Sequence, residues 1–193
     1  MFDRWNFGHL SQRLFPAARY RSTAKQYDEY RRLIMERLFD TGFDLPISHL
    51  YGFVKTNLGF GCVTERITDA QGNTAQNLRE RVLARSFTAD DLEGLNRFIA
   101  RLYEVSICAA DMGPANFVHG HRHIGPENAR TAPGWVLVDG FGDRFAITIR
   151  SVSRPARTRG MDRRFIRGKK VKGLVWQPDQ RRFAFAEDYT PIR

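Results

Sequence analysis

The stretch Asp111-Met112-Gly113-Pro114-Ala115-Asn116 is followed downstream by Leu137-Val138-Asp139-Gly140-Phe141-Gly142. Two readings compete for it. Asp, Gly, Pro and Asn are the usual turn residues, so both pieces fit plain turns at strand ends. Yet the order also runs carboxylate, amide five residues on, then a second carboxylate after the apolar run Trp135-Val136-Leu137-Val138. That order of groups holds magnesium against a nucleotide in phosphoryl transfer. In that chemistry Asp111 orients or deprotonates an acceptor hydroxyl, and Asn116 and Asp139 bind the metal. The flanking sequence decides between them.

Upstream, Thr88 is placed to cap a long helix with Leu92, Leu95, Phe98, Ile99, Leu102 and Tyr103 on one face. It runs into Ile107-Cys108-Ala109-Ala110 and so into Asp111. A short helix is predicted over Leu78 to Ala84, after the polar loop Asp69-Ala70-Gln71-Gly72-Asn73. Before that, His49 to Lys55 and Gly61 to Ile67 read as strands of a hairpin around Thr56-Asn57-Leu58-Gly59. Ser22 and Thr23 are placed to cap a first helix carrying Tyr27, Tyr30, Ile34 and Leu38, which Gly42 and Pro46 end. Downstream, Phe117-Val118 and Trp135 to Val138 read as short strands flanking a loop rich in His, Gly and Pro. Phe145 to Val152 alternates like a further strand. The expected fold class is α+β.

With 193 residues, 42% of them hydrophobic, the chain suits one domain, with or without a tail. Cys62 and Cys108 sit in apolar strings and read as buried, reduced thiols. The first residues show no unbroken apolar stretch, and nothing approaches the ~18 apolar residues of a membrane span. A cytoplasmic protein is expected. The net charge of +10 is confined to the last quarter: from Arg144 onward 14 basic residues face 4 acidic ones, and the rest balances at 17 each. Such a segment favours a polyanion: phosphate, nucleic acid or an anionic membrane surface. Phe165 and Trp176 are too sparse for base stacking. Residues 154–172 therefore read first as a solvated basic helix or loop docked on the rest, drawing in a phosphorylated or acidic partner, with nucleic acid second. His119, His121 and His123 alternate, and on a strand such a trio can bind zinc. No further ligand follows at suitable spacing, and Gly120 with Gly125-Pro126 indicates a loop.

A phosphotransfer site of the protein-kinase type uses two more parts. Glu29, in the first helix, is placed to pair with a phosphate-binding lysine. Val63-Thr64-Glu65-Arg66-Ile67 is placed as a hinge strand whose backbone meets an adenine edge. As a bland alternative, Glu29 is a solvated helix position paired with Lys25 or Arg32.

Tyr27-Asp28-Glu29-Tyr30-Arg31-Arg32-Leu33, Leu50-Tyr51-Gly52, Gly61 to Asp69 with Gly72, Pro114 to Val118 and Val138 to Gly142 together resemble the bacterial PhoP regulatory network protein YrbL family. The resemblance spans roughly Tyr20 to Arg167 and implies a reduced protein-kinase-like fold. It implies an abbreviated N-lobe over 1–67, a mainly helical C-lobe over 68–153 and a basic segment over 154–193. ATP and Mg2+ are the cofactors it implies, with Asp111 as catalytic base and Asn116 and Asp139 as metal ligands. Glu65, Arg66 and Ile67 would meet the nucleotide, and Glu29 would organise its phosphates. The chain departs from the kinase pattern in several places. Before the first helix it has one glycine, Gly8, and no lysine; Arg13 falls roughly at the lysine's place, and its planar fork is no equivalent. Ala109-Ala110 stand for His-Arg, Gly113 for a lysine, and Gly140 directly follows Asp139. Two functions are therefore expected: phosphate transfer to an unknown acceptor, or a non-catalytic regulator whose basic segment holds an acidic partner or nucleic acid.

Overall fold

Local capping and apolar spacing set most elements of the computed structural model, which describes residues 20–40, 44–124, 129–142, 153–168 and 171–191. Gly8, Arg13, Gly42, Gly125-Pro126 and the strand expected over Phe145 to Val152 lie outside the described residues. Helix α1 (Arg21–Glu36) buries Glu29 and Leu33. Its N-cap is Tyr20, without a side-chain cap, so Ser22 and Thr23 fall inside the first turn rather than capping it.

Strands β1 (Leu50–Thr56) and β2 (Gly59–Thr64) form the expected antiparallel hairpin, with Thr56 opposite Gly59. Gly59 at φ +116° closes the turn, and the Thr56 hydroxyl donates to its carbonyl at 2.7 Å. β2 ends at Thr64, short of Ile67. There the chain leaves β1: Glu65 N–H still donates to the His49 carbonyl at 2.9 Å, but Thr68 pairs with His121 instead.

Helices α2 (Leu78–Leu83) and α3 (Ala89–Glu104) each start with a capping box, Asn77 with Glu80 and Thr88 with Asp91. Each cap oxygen satisfies an otherwise orphaned N–H, worth about 1 kcal/mol. α3 buries Leu95, Phe98, Ile99 and Leu102, the face its spacing predicts. Next come β3 (Phe117–Gly120), the two-residue strands β4 (His123–Ile124) and β5 (Ala129–Arg130), and β6 (Gly134–Leu137). β3 pairs antiparallel with β6, Phe117 opposite Leu137, and β4 with β5.

The basic segment forms α4 (Arg154–Arg167), then the antiparallel hairpin β7 (Leu174–Gln177) and β8 (Arg182–Phe185). α4 is docked as expected but not merely solvated: it buries Arg157, Met161 and Phe165. The Phe165 ring stacks on Trp176 at 4.2 Å and lies near Tyr103 and Phe117. These aromatics are core. Apolar side chains from Leu33 to Leu174 form one main core, and Ile67, Ala75, Val118 and Val136 form a small satellite. Burying each such aliphatic or aromatic side chain contributes about 1.5–3 kcal/mol. Helices with small antiparallel sheets make the fold α+β. Cys108 is buried, as expected, while Cys62 is only half-buried. Among the described residues no helix is long and apolar enough to cross a membrane.

Candidate functional site

Beyond α3 the chain reverses at Ser106, whose φ is +47°. It then runs alongside the Gly140 to Gly142 turn, with Ala109 bridged antiparallel to Phe141. Gly142 N–H donates to the Cys108 carbonyl at 2.6 Å, while the N–H groups of Ala110 and Asp111 both reach the Gly140 carbonyl, at 2.6 and 2.9 Å. The β3–β6 register then does the rest. Val138 N–H donates to the Asn116 carbonyl at 3.0 Å, so Asn116 and Asp139 leave the same end of the hairpin. The Asn116 amide donates to the Asp111 carbonyl at 3.4 Å. All three sequence-selected residues therefore meet on one surface, with Asp111 and Asp139 exposed and Asn116 half-buried.

Both segments are also turns. Asp111 Oδ1 accepts the Gly113 N–H at 2.9 Å, and Asn116 N–H donates to the Gly113 carbonyl at 2.9 Å. Asp139 Oδ1 accepts the Gly140 N–H at 2.6 Å and a hydrogen bond from the Gln26 amide of α1. Turn geometry is thus the means of bringing the groups together. Gly140 shows why glycine must follow Asp139: its φ is +81°, and a Cβ there would stand 2.2 Å from the Asp111 carbonyl oxygen and 2.9 Å from Asn116 Nδ2. The next residue, Phe141, is buried in the core and anchors the turn.

Glu29 is buried rather than solvated. Its carboxylate accepts two hydrogen bonds from Arg32, at 2.6 and 2.9 Å, and the Cys108 N–H at 2.6 Å. Burial depresses the Arg32 pKa, but the hydrogen bonds and charge of Glu29 outweigh it and raise the pKa above its ordinary value. The pair ties α1 to the segment that delivers Asp111, and the cationic partner of Glu29 is an arginine of the same helix.

Glu65 is also buried, gripped by Arg122 through Nε at 2.8 Å and Nη2 at 2.7 Å. Glu65 also accepts the His49 N–H at 2.9 Å. Arg122 further donates to Asp44 at 2.7 Å and to the carbonyls of Leu45 and Ile47. The side chain and N–H of Glu65 are therefore spent on the fold. Among the described residues, exposed Arg66 donates to the Thr74 hydroxyl at 3.3 Å, and the Ile67 carbonyl accepts the Ala75 N–H at 3.0 Å. Sequence reasoning missed Arg122, because its partner lies 57 positions away. It missed Gln26 for the same reason.

The histidines take separate partners. His119 packs on Trp135 at 4.9 Å, His121 Nδ1 meets the Thr131 carbonyl at 2.7 Å, and His123 Nε2 meets the Thr68 hydroxyl at 3.1 Å. Among the described residues no three His, Cys, Asp or Glu side chains cluster as a metal cage. Magnesium needs none: it commonly takes one or two carboxylates plus substrate phosphates and water. Hard oxygen donors on exposed Asp139 and half-buried Asn116 are of the kind that ion takes.

A family model described as PhoP regulatory network protein YrbL matches residues 10–170. No curated protein and no solved structure matches the chain.

Proposed function

The chain belongs to the PhoP regulatory network protein YrbL family, and from that premise we propose that its site is a kinase-like phosphotransfer centre. The convergence of Asp111, Asn116 and Asp139 around Gly140 carries the reading. Asp111 would accept the proton of an acceptor hydroxyl. Asn116 and Asp139 would hold Mg2+, which supplies charge neutralisation for the phosphates of ATP. Arg66 and Ile67, with the Glu65 carbonyl, would border the adenine. Fixed positions matter here because phosphoryl transfer depends on placement and electrostatics more than on covalent chemistry. The Glu29–Arg32 pair supports that placement by locking the backbone just before Asp111.

The test is thermal: millimolar ATP with Mg2+ raises the melting temperature of the wild-type chain, and Asp139→Ala abolishes the rise. No shift in the wild type overturns the proposal. A second reading, a non-catalytic regulator, is favoured by one observation: Glu29 is committed to Arg32 and the Cys108 N–H instead of a lysine. It predicts a folded protein without Mg–ATP binding whose α4 surface captures an acidic partner in a salt-dependent way.

A further inference from the structure

α4 divides its side chains between two faces. Arg157, Met161 and Phe165 recur every four residues and go into the core. Gly160, Arg163, Arg164 and Arg167 recur at three- and four-residue spacing and form one wall of a cleft of about 300 Å³. Ala110, Asp111, Met112 and Gly168 complete its lining. Among the described residues, the lining thus carries three guanidinium groups against the lone carboxylate of Asp111. Arg164 is half-buried and donates to the Ala110 carbonyl, fixing α4 beside Asp111. Arg163 and Arg167 are exposed, and Arg163 is steadied by a 3.2 Å hydrogen bond from Nε to the Arg159 carbonyl. A Cβ at Gly160 would meet nothing within 4 Å, so the cleft is open at this position of the wall.

We infer that this cleft binds the phosphate group of a small hydroxylated acceptor and holds its hydroxyl near Asp111. Charge decides the ligand class. Exposed Arg163 and Arg167 alone bring two guanidinium charges, which outweigh the Asp111 carboxylate together with the roughly half negative charge that the C-terminus of α4 contributes. Guanidinium forks match phosphate oxygens in pairs, which a neutral polyol cannot exploit. Arginines near a helix C-terminus also offset its dipole wherever they point. Here they share a concave face with the acceptor-orienting residue, which dipole compensation does not require. The inference rests on the phosphotransfer reading for the role of Asp111 only.

Titration calorimetry at fixed ionic strength tests it, with inorganic phosphate, glycerol 3-phosphate and glycerol as probes. The wild type should bind both phosphates saturably and glycerol not at all. Losing two charge-assisted contacts in R163Q/R167Q should weaken phosphate binding about tenfold or more. G160F, which fills the cleft without changing its charge, should do the same. R79Q/R97Q removes equal charge from exposed positions outside the cleft and should bind like the wild type. Absence of saturable phosphate binding overturns the inference, as does an equal loss in R79Q/R97Q, which would show general attraction only. D139A should keep phosphate binding. Phosphate bound without any Mg–ATP response therefore sinks the phosphotransfer reading and leaves the anion site, whereas the reverse pattern removes the anion site alone.

Discussion

At the scale of single residues, Gly140 and Arg122 are the positions where chemistry leaves least freedom. Alanine at 140 would have to hold φ at +81° with its Cβ against the Asp111 carbonyl. The left-handed backbone alone costs about 1–3 kcal/mol. The contact is with backbone, so relief requires Asp111 and Asn116 to separate from Asp139. Gly140→Ala should therefore lower stability in urea by at least that amount and reduce any Mg–ATP thermal shift together with it. Arg122 makes a different prediction. Its guanidinium and the Glu65 carboxylate are almost sealed from water, at 5% and 2% exposure. Removing one charge strands the other, a loss of about 3–5 kcal/mol. Arg122→Met should show that loss in denaturant unfolding, and Arg122→Met with Glu65→Leu should recover much of it, since replacing both partners leaves no unpaired charge. A double variant as unstable as the single one would place the loss in the pair's other partners: Asp44, the Leu45 and Ile47 carbonyls and the His49 N–H.

At the scale of elements, α4 links the basic segment to the site, and Phe165 is its anchor. The ring touches residues of α3, β3 and β7, so truncation opens a cavity no single neighbour can fill. Phe165→Ala should cost about 3–5 kcal/mol, measured by urea unfolding, and should also loosen the cleft beside Asp111. The same helix shows how far sequence reasoning reaches. α3 was legible because one amphipathic face and one capping residue, Thr88, are local signals. The β3–β6 pair was legible because Phe117-Val118 and Trp135 to Val138 are apolar runs bounded by turn residues, and with it came Asp111, Asn116 and Asp139. The β7–β8 hairpin was not, because its turn closes on Arg181 in the left-handed region, at φ +49°, without the glycine or asparagine that usually announces it. Arg181 is held there by Asp162 at 3.0 Å and lies 4.8 Å from the centre of the Tyr103 ring. Glu29 pairs with Arg32, as its helical spacing allowed, but it is buried where a solvated position was expected, because a distant partner draws it in. The Cys108 N–H that draws its carboxylate inward lies 79 residues away.

At the scale of the whole molecule, two half-buried histidines, His49 and His119, make stability depend on pH. Burial, then the charge of Arg122, pushes the His49 pKa below its ordinary value. Burial, then Arg81, does the same to His119, and the Asp91 carboxylate 3.9 Å away only partly opposes this. In the unfolded chain both histidines titrate near 6.5. Above that value neither state is protonated and the histidines leave stability unchanged. As pH falls through about 6.5 the unfolded chain gains protons that the folded chain refuses, so stability drops until the folded pKa values are reached. Asp91 acts lower on the scale. Burial raises its pKa, but hydrogen bonds from Thr88 and the ion pair with Arg81 overcome this and leave it depressed. Its contribution is complete above about pH 4 and is lost as pH falls through the folded value. Melting temperature should therefore decline between pH 7.5 and 5, and decline again in stronger acid. H49Q/H119Q should flatten the first decline and leave the second in place. An unchanged first decline in that variant would assign it to groups other than these imidazoles.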